Sequence, residues 1–116
     1  MIFIMLQAIE NEEERNRLAV FYIKYRQLLR KKSCEILETY HMENRFDLAN
    51  DMLQDAMAKM IQNIDTVSKL TDYQMIAYAV QTIRSCTIDF CRKSNSYQKA
   101  IQQKGILEES ENREFY

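Results

Sequence analysis

Between Glu12 and Tyr40 the apolar positions Leu18, Phe21, Tyr22, Tyr25, Leu28, Leu29, Ile36, Leu37 and Tyr40 trace the stripe of an amphipathic helix. The RKK run at 30–32 interrupts that stripe. The acids of EEE at 12–14 suit a helix N-terminus, and the basic run lies toward the other end, as the helix macrodipole favours. HMENRF then reads as a break. A second stripe, from about Asp47 to Ile64, has Leu48, Met52, Ala56, Met57, Met60, Ile61 and Ile64 on its inner side. DTVSKL at 65–70 reads as a loop, and Thr71 as the N-cap of the next helix. That helix runs from Asp72 past Arg92 toward Lys104, where Gly105 offers a stop. Ile83, Cys86 and Phe90 form its apolar line. The opening Met1 to Asn11 is a short apolar start ending in acid, and ILEESENREFY at 106–116 is acidic and without periodicity.

Composition sharpens this into a fold class. The chain has 116 residues, 47% hydrophobic and 28% charged, enough for one domain with a modest core. It contains one Gly and no Pro, the residues that punctuate turns and strands. Long helices with short connections follow: an all-α, compact helical bundle of three main helices plus a short N-terminal helix. The bundle is expected over residues 1–104, with 105–116 as an acidic linker or tail.

Charge and candidate chemistry narrow the function. The net charge of −1 supplies no overall positive field for nucleic acid, but the charge is unevenly placed. Acids crowd 10–14 and 108–114, while Arg and Lys cluster at 24–32 and 84–104. Cys34, Cys86 and Cys91 are odd in number and spaced for neither zinc nor a disulfide framework, which points to reduced thiols filling core space. His41 sits by an expected turn with no evident partner. No nucleophile and base pair, metal cluster or phosphate loop is visible, so neither an enzyme nor a cofactor is expected. MIFIML is too short for a membrane span or signal peptide and lacks a basic leader, which points to the cytoplasm.

Two helix faces carry further information. At 100° per residue, Asp47, Asp51, Gln54, Asp55, Ala58 and Gln62 fall on the side away from the methionines. Such carboxylates receive arginine forks from another protein. In the last helix Gln81, Arg84, Ser85, Ile88, Arg92, Asn95, Ser96 and Lys99 share one band, with Asp89 and Lys93 at its borders. Cations with short hydroxyl and amide donors are the groups that contact phosphates and base edges. On periodicity alone, an ordinary solvated surface is the better reading of each face.

Together the faces resemble the second conserved region of bacterial RNA polymerase sigma factors of the sigma-70 family, most closely the small extracytoplasmic-function type. ANDMLQDAMAKMIQNID at 49–65 is similar to the pattern A-E-D-h-h-Q-E-h-F, where h is apolar. Ala49, Asp51, Gln54 and Ala56 match it, while Asn50 and Asp55 stand where Glu is usual. AYAVQTIRSCTIDFCRK at 77–93 looks like the next helix, with Ala77, Tyr78, Arg84, Ile88, Asp89, Arg92 and Lys93 matching and Ser85 replacing the usual Asn. NEEERNRLAVFYIKYRQLLRKKSCEILE resembles the opening helix. The likeness runs from about residue 10 to 95.

The resemblance implies a transcription initiation factor domain. Asp47, Asp51, Gln54 and Asp55 would dock on the coiled-coil clamp helices of the largest subunit of core RNA polymerase. The loop and last helix would hold the non-template strand of the promoter −10 element through Lys69, Thr71, Tyr73, Tyr78, Gln81, Arg84, Ser85, Arg92 and Lys93. An anti-sigma factor is a further partner the family implies. The family's second, −35-reading domain does not follow before Tyr116, which favours an excised domain. The competing reading is a helical interaction module that binds polymerase or another partner through its acidic face without touching DNA.

Overall fold

The computed structural model describes the backbone of residues 2–113 and the side chains of residues 2–95. Its helices are α1 (Ile2–Leu6), α2 (Glu12–Thr39), α3 (Arg45–Gln62), α4 (Ile64–Val67) and α5 (Asp72–Arg113). α2, α3 and α5 each pack on the other two, and α1 closes one side against α2 and α3. No strand occurs among the described residues. The expected all-α bundle of three main helices and a short N-terminal one is therefore the fold.

The core follows the apolar stripes. Leu18, Phe21, Leu29 and Leu37 of α2 are buried, as are Met52, Leu53, Ala56, Met57 and Met60 of α3, and Met75, Ala79, Ile83, Cys86 and Cys91 of α5. Each fully buried Leu or Met contributes about 1.5–3 kcal/mol from leaving water. Ile2, Leu6 and Ile9 seal the same core from the N-terminal side, so the apolar start is used for packing. Cys34, Cys86 and Cys91 are free thiols. Burial pushes the Cys91 thiol up from its ordinary range, which keeps it protonated and poorly nucleophilic. Among the described residues no His, Cys, Asp and Glu group could hold a metal ion.

One polar contact lies inside the α2–α5 seam. Ser33 and Thr87 are both fully buried and their hydroxyl oxygens are 2.8 Å apart. Thr87 donates its single hydroxyl proton to the Ile83 carbonyl at 2.7 Å, so Ser33 donates to Thr87. Both buried hydroxyls are thereby satisfied.

The helix ends show how a chain with one Gly makes its turns. α2 starts on Asn11, whose side-chain oxygen accepts from the Glu14 N–H at 3.0 Å. It ends in a Schellman turn: His41 N–H donates to the Glu38 carbonyl and Met42 N–H to the Leu37 carbonyl. His41 takes the left-handed position at φ 56°, where Gly is usual. Met42 packs on the cluster holding Leu37, the hydrophobic contact that accompanies this turn. Asn44 adds a second left-handed residue at φ 55° immediately before α3. The exposed His41 is thus a turn residue.

Four expectations need correction. The basic run at 30–32 stops short of the last turn of α2, which carries no basic residue, so it gains little from the helix dipole. α3 begins at Arg45 and ends at Gln62, because Asn44 bends the chain and Asn63 returns its side-chain amide to the Lys59 carbonyl. DTVSKL is partly helical: Thr66 and Val67 N–H groups turn back to the Asn63 carbonyl and close the one-turn α4. α5 runs through Gly105 to Arg113. A lone Gly among helix formers costs only about 1 kcal/mol, and no Pro follows to enforce a stop. Residues 114–116 of the acidic tail lie outside the described residues.

Candidate functional site

The acidic face belongs to α3 alone. Its inner side buries Ala49, Met52, Leu53, Ala56, Met57 and Met60, which fixes the opposite side outward. Asp47, Asp51 and Asp55 are exposed and Gln54 is half-buried. None of the three carboxylates takes part in an ion pair among the described residues. The helix axis advances 1.5 Å per residue, so these carboxylates step along one side every turn or so. An unpaired row of this kind can receive cationic forks without first breaking internal bonds.

The cationic band of α5 is arranged differently. Tyr78, Gln81 and Ser85 line a cleft of about 250 Å³ that α5 forms with Lys59 and Asn63 at the end of α3. Arg84 turns to the other flank, where it shares a cleft of about 210 Å³ with Lys32, Glu35 and Thr39 of α2. Lys93 pairs with Asp89 at 3.0 Å, one turn back on its own helix. Both line a groove with Asp55 and Gln62 of α3, so the cationic and acidic surfaces meet there. Arg92 is exposed, and the side chains of Ser96 and Lys99 lie outside the described residues. The band is continuous on a wheel but the fold splits it into two flanks and a shared groove.

The segment leading into α5 is held at both ends. Thr71 and Gln74 form a reciprocal capping box: Thr71 Oγ1 accepts from the Gln74 N–H at 3.2 Å, and Gln74 Oε1 accepts from the Thr71 N–H at 3.0 Å. The expected N-cap is thereby present with a partner that periodicity did not reveal. On the α2 side, Arg17 donates to the Ser68 carbonyl at 2.9 Å, the Leu70 carbonyl at 2.6 Å and the Asp72 carboxylate at 3.0 Å. Lys69 and Thr71 are exposed on this segment, and Tyr73 is 83% exposed in the first turn of α5. An aromatic ring left this open beside a braced backbone is suited to stacking on an unpaired base. Tyr78, by contrast, is half-buried and packs on the core.

Sequence reasoning missed Arg17, Lys32, Lys59 and Asn63. Each reads as an ordinary helix-surface or helix-end residue within its own segment. Their places in the clefts come from contacts between helices, for which a single helical period holds no signal.

The described residues present an exposed acidic face on α3 and a polar, cation-bearing α5 entered by a braced loop. Among the described residues no helix is long and apolar enough to cross a membrane. No curated protein and no solved structure matches the chain at a significant level. The Sigma-70 region 2 pattern matches residues 21–97, most of the chain and all of α3 and α4. The chain belongs to the Sigma-70 region 2 family, a non-enzymatic domain of transcription initiation factors that binds core RNA polymerase and recognises the promoter −10 element.

Proposed function

We propose that the two functions of this domain divide between its two faces. Asp47, Asp51, Gln54 and Asp55 dock on the clamp helices of the largest polymerase subunit. Lys69, Thr71, Tyr73, Tyr78, Gln81, Arg84, Ser85, Arg92 and Lys93 take the non-template strand of the −10 element. The observation that carries the division is the state of the charges: the α3 carboxylates are exposed without an ion pair among the described residues, whereas the described cations of α5, Arg84, Arg92 and Lys93, are spread along that helix and its open Tyr73 ring stands beside the braced loop. Phosphate contacts from so few cations give weak, salt-sensitive binding by themselves, so polymerase supplies most of the affinity and the loop supplies selectivity.

In the same reading the chain is of the extracytoplasmic-function type, works in the cytoplasm and accepts an anti-sigma factor over its exposed faces. Residues 1–104 form the domain, and 105–116 are an acidic linker or tail. The test is fluorescence anisotropy with labelled single-stranded and duplex −10 oligonucleotides, with and without core polymerase. Single-stranded non-template oligonucleotide should bind better than duplex, and polymerase should strengthen it. Equal, polymerase-independent binding to both would refute the division.

A further inference from the structure

We infer that Arg17 is a positioning residue for −10 recognition, acting through the backbone of residues 68–72. This rests on the reading of that segment as DNA-contacting. Arg17 stands on the first turns of α2, ahead of the residues that the family pattern covers. Its Nη1 reaches the Ser68 carbonyl and its Nη2 the Leu70 carbonyl, both part-buried, across more than fifty positions of sequence. Nη2 also meets the Asp72 carboxylate at the start of α5.

The segment has few other restraints on those carbonyls. The amides of Ser68, Lys69 and Leu70 turn back to Ile64, Thr66 and Val67, and the capping box fixes Thr71. The Ser68 and Leu70 carbonyls have Arg17 as their described side-chain partner. With both carbonyls drawn toward α2, the intervening Lys69 and the following Thr71 stay exposed. A planar guanidinium spans two acceptors at fixed separation, which a lysine ammonium cannot do. The fork thus sets where Lys69, Thr71 and Tyr73 stand when a base arrives, while Arg17 itself stays half-buried behind the loop.

The experiment uses the full chain with core RNA polymerase and a pool of single-stranded oligonucleotides carrying a short randomised segment, sequenced before and after selection. Wild type should enrich a defined sequence. Arg17→Gln and Arg17→Lys should bind polymerase as wild type does but flatten that enrichment on the order of tenfold, the scale of a misplaced recognition group. Lysine keeps the charge, so its failure to rescue separates the fork from mere electrostatic attraction. Hydrogen exchange at the amides of 68–71 should quicken in Arg17→Lys, a measurement that holds even if the glutamine variant folds poorly. Wild-type enrichment in Arg17→Lys, or an even loss of affinity across all sequences, would overturn the inference. If wild type binds polymerase yet enriches nothing, the reading of the loop itself falls, and the inference with it.

Discussion

On α3, the carboxylates of Asp47, Asp51 and Asp55 stand exposed, without an ion pair among the described residues, on a helix whose far side is buried in the core. On α5, the corresponding cations are parcelled out: Arg84 to the α2 flank, Lys93 to an ion pair with Asp89, Arg92 to solvent. The first surface is complete within one helix. The second is assembled from α5, the end of α3, the flank of α2 and a loop held by Arg17. A surface of the first kind depends on one helix being folded; a surface of the second kind depends on how three helices sit together. Damage to packing should therefore reach DNA recognition before it reaches polymerase docking.

The sharpest way to break the comparison is charge reversal on α3. Asp51→Arg with Asp55→Arg should lower polymerase affinity about 100-fold or more, since losing a desolvated charge pair costs ~2–5 kcal/mol. The thermal melt should shift little, because exposed substitutions usually stay within about 0.5 kcal/mol. Normal pull-down of polymerase by this double mutant would remove the docking role from α3.

Reversal on α5 should give the complementary phenotype. Arg84→Glu with Arg92→Glu should retain polymerase and lose promoter opening in footprinting, with oligonucleotide binding less steep in salt by roughly one power per cation removed. Lys93→Gln should do less than Arg92→Gln, because Asp89 already engages the Lys93 ammonium. Equal effects at 92 and 93 would show that the ion pair opens freely in the complex.

Smaller effects test the braced loop and the turn opposite it. Thr71→Ala removes one half of the capping box and should cost about 1 kcal/mol in denaturant unfolding, with a larger proportional loss in selectivity than in polymerase binding. His41→Gly relieves a left-handed residue remote from the loop and should gain about 0.5 kcal/mol with no change in either binding. Any change in selectivity from that substitution would tie the α2–α3 turn to the DNA surface.

Features confined to one helix were legible beforehand. The methionine stripe and its acidic reverse on α3 follow from periodicity, though Ala49 and Leu53 were not placed among the inner residues despite being buried. Thr71 was legible as a cap because its hydroxyl can serve its own helix. What stayed hidden was relational: Arg17 with the 68–72 backbone and Ser33 with Thr87 each join positions more than fifty residues apart. A polar residue facing a polar residue breaks the apolar period on both helices at once, so each looks like an ordinary interruption. Gly105 misled for the opposite reason, since a local stop signal needs a left-handed residue and a returning chain to act on.

The Ser33–Thr87 hydrogen bond also has a direction, and direction gives substitution a preferred order. Thr87 commits its proton to Ile83, so Ser33→Ala leaves only an acceptor oxygen idle, and that oxygen still donates elsewhere. Thr87→Val taken first strands the Ser33 proton in a fully buried seam, the costlier orphan unless a carbonyl of its own helix captures it. With both changed, no unpaired polar atom remains, and an apolar seam of similar shape is close to neutral. A lineage drifting from the hydroxyl pair to an apolar pair should therefore cross by way of alanine at 33, and descendants holding serine opposite valine should be the scarcer intermediate.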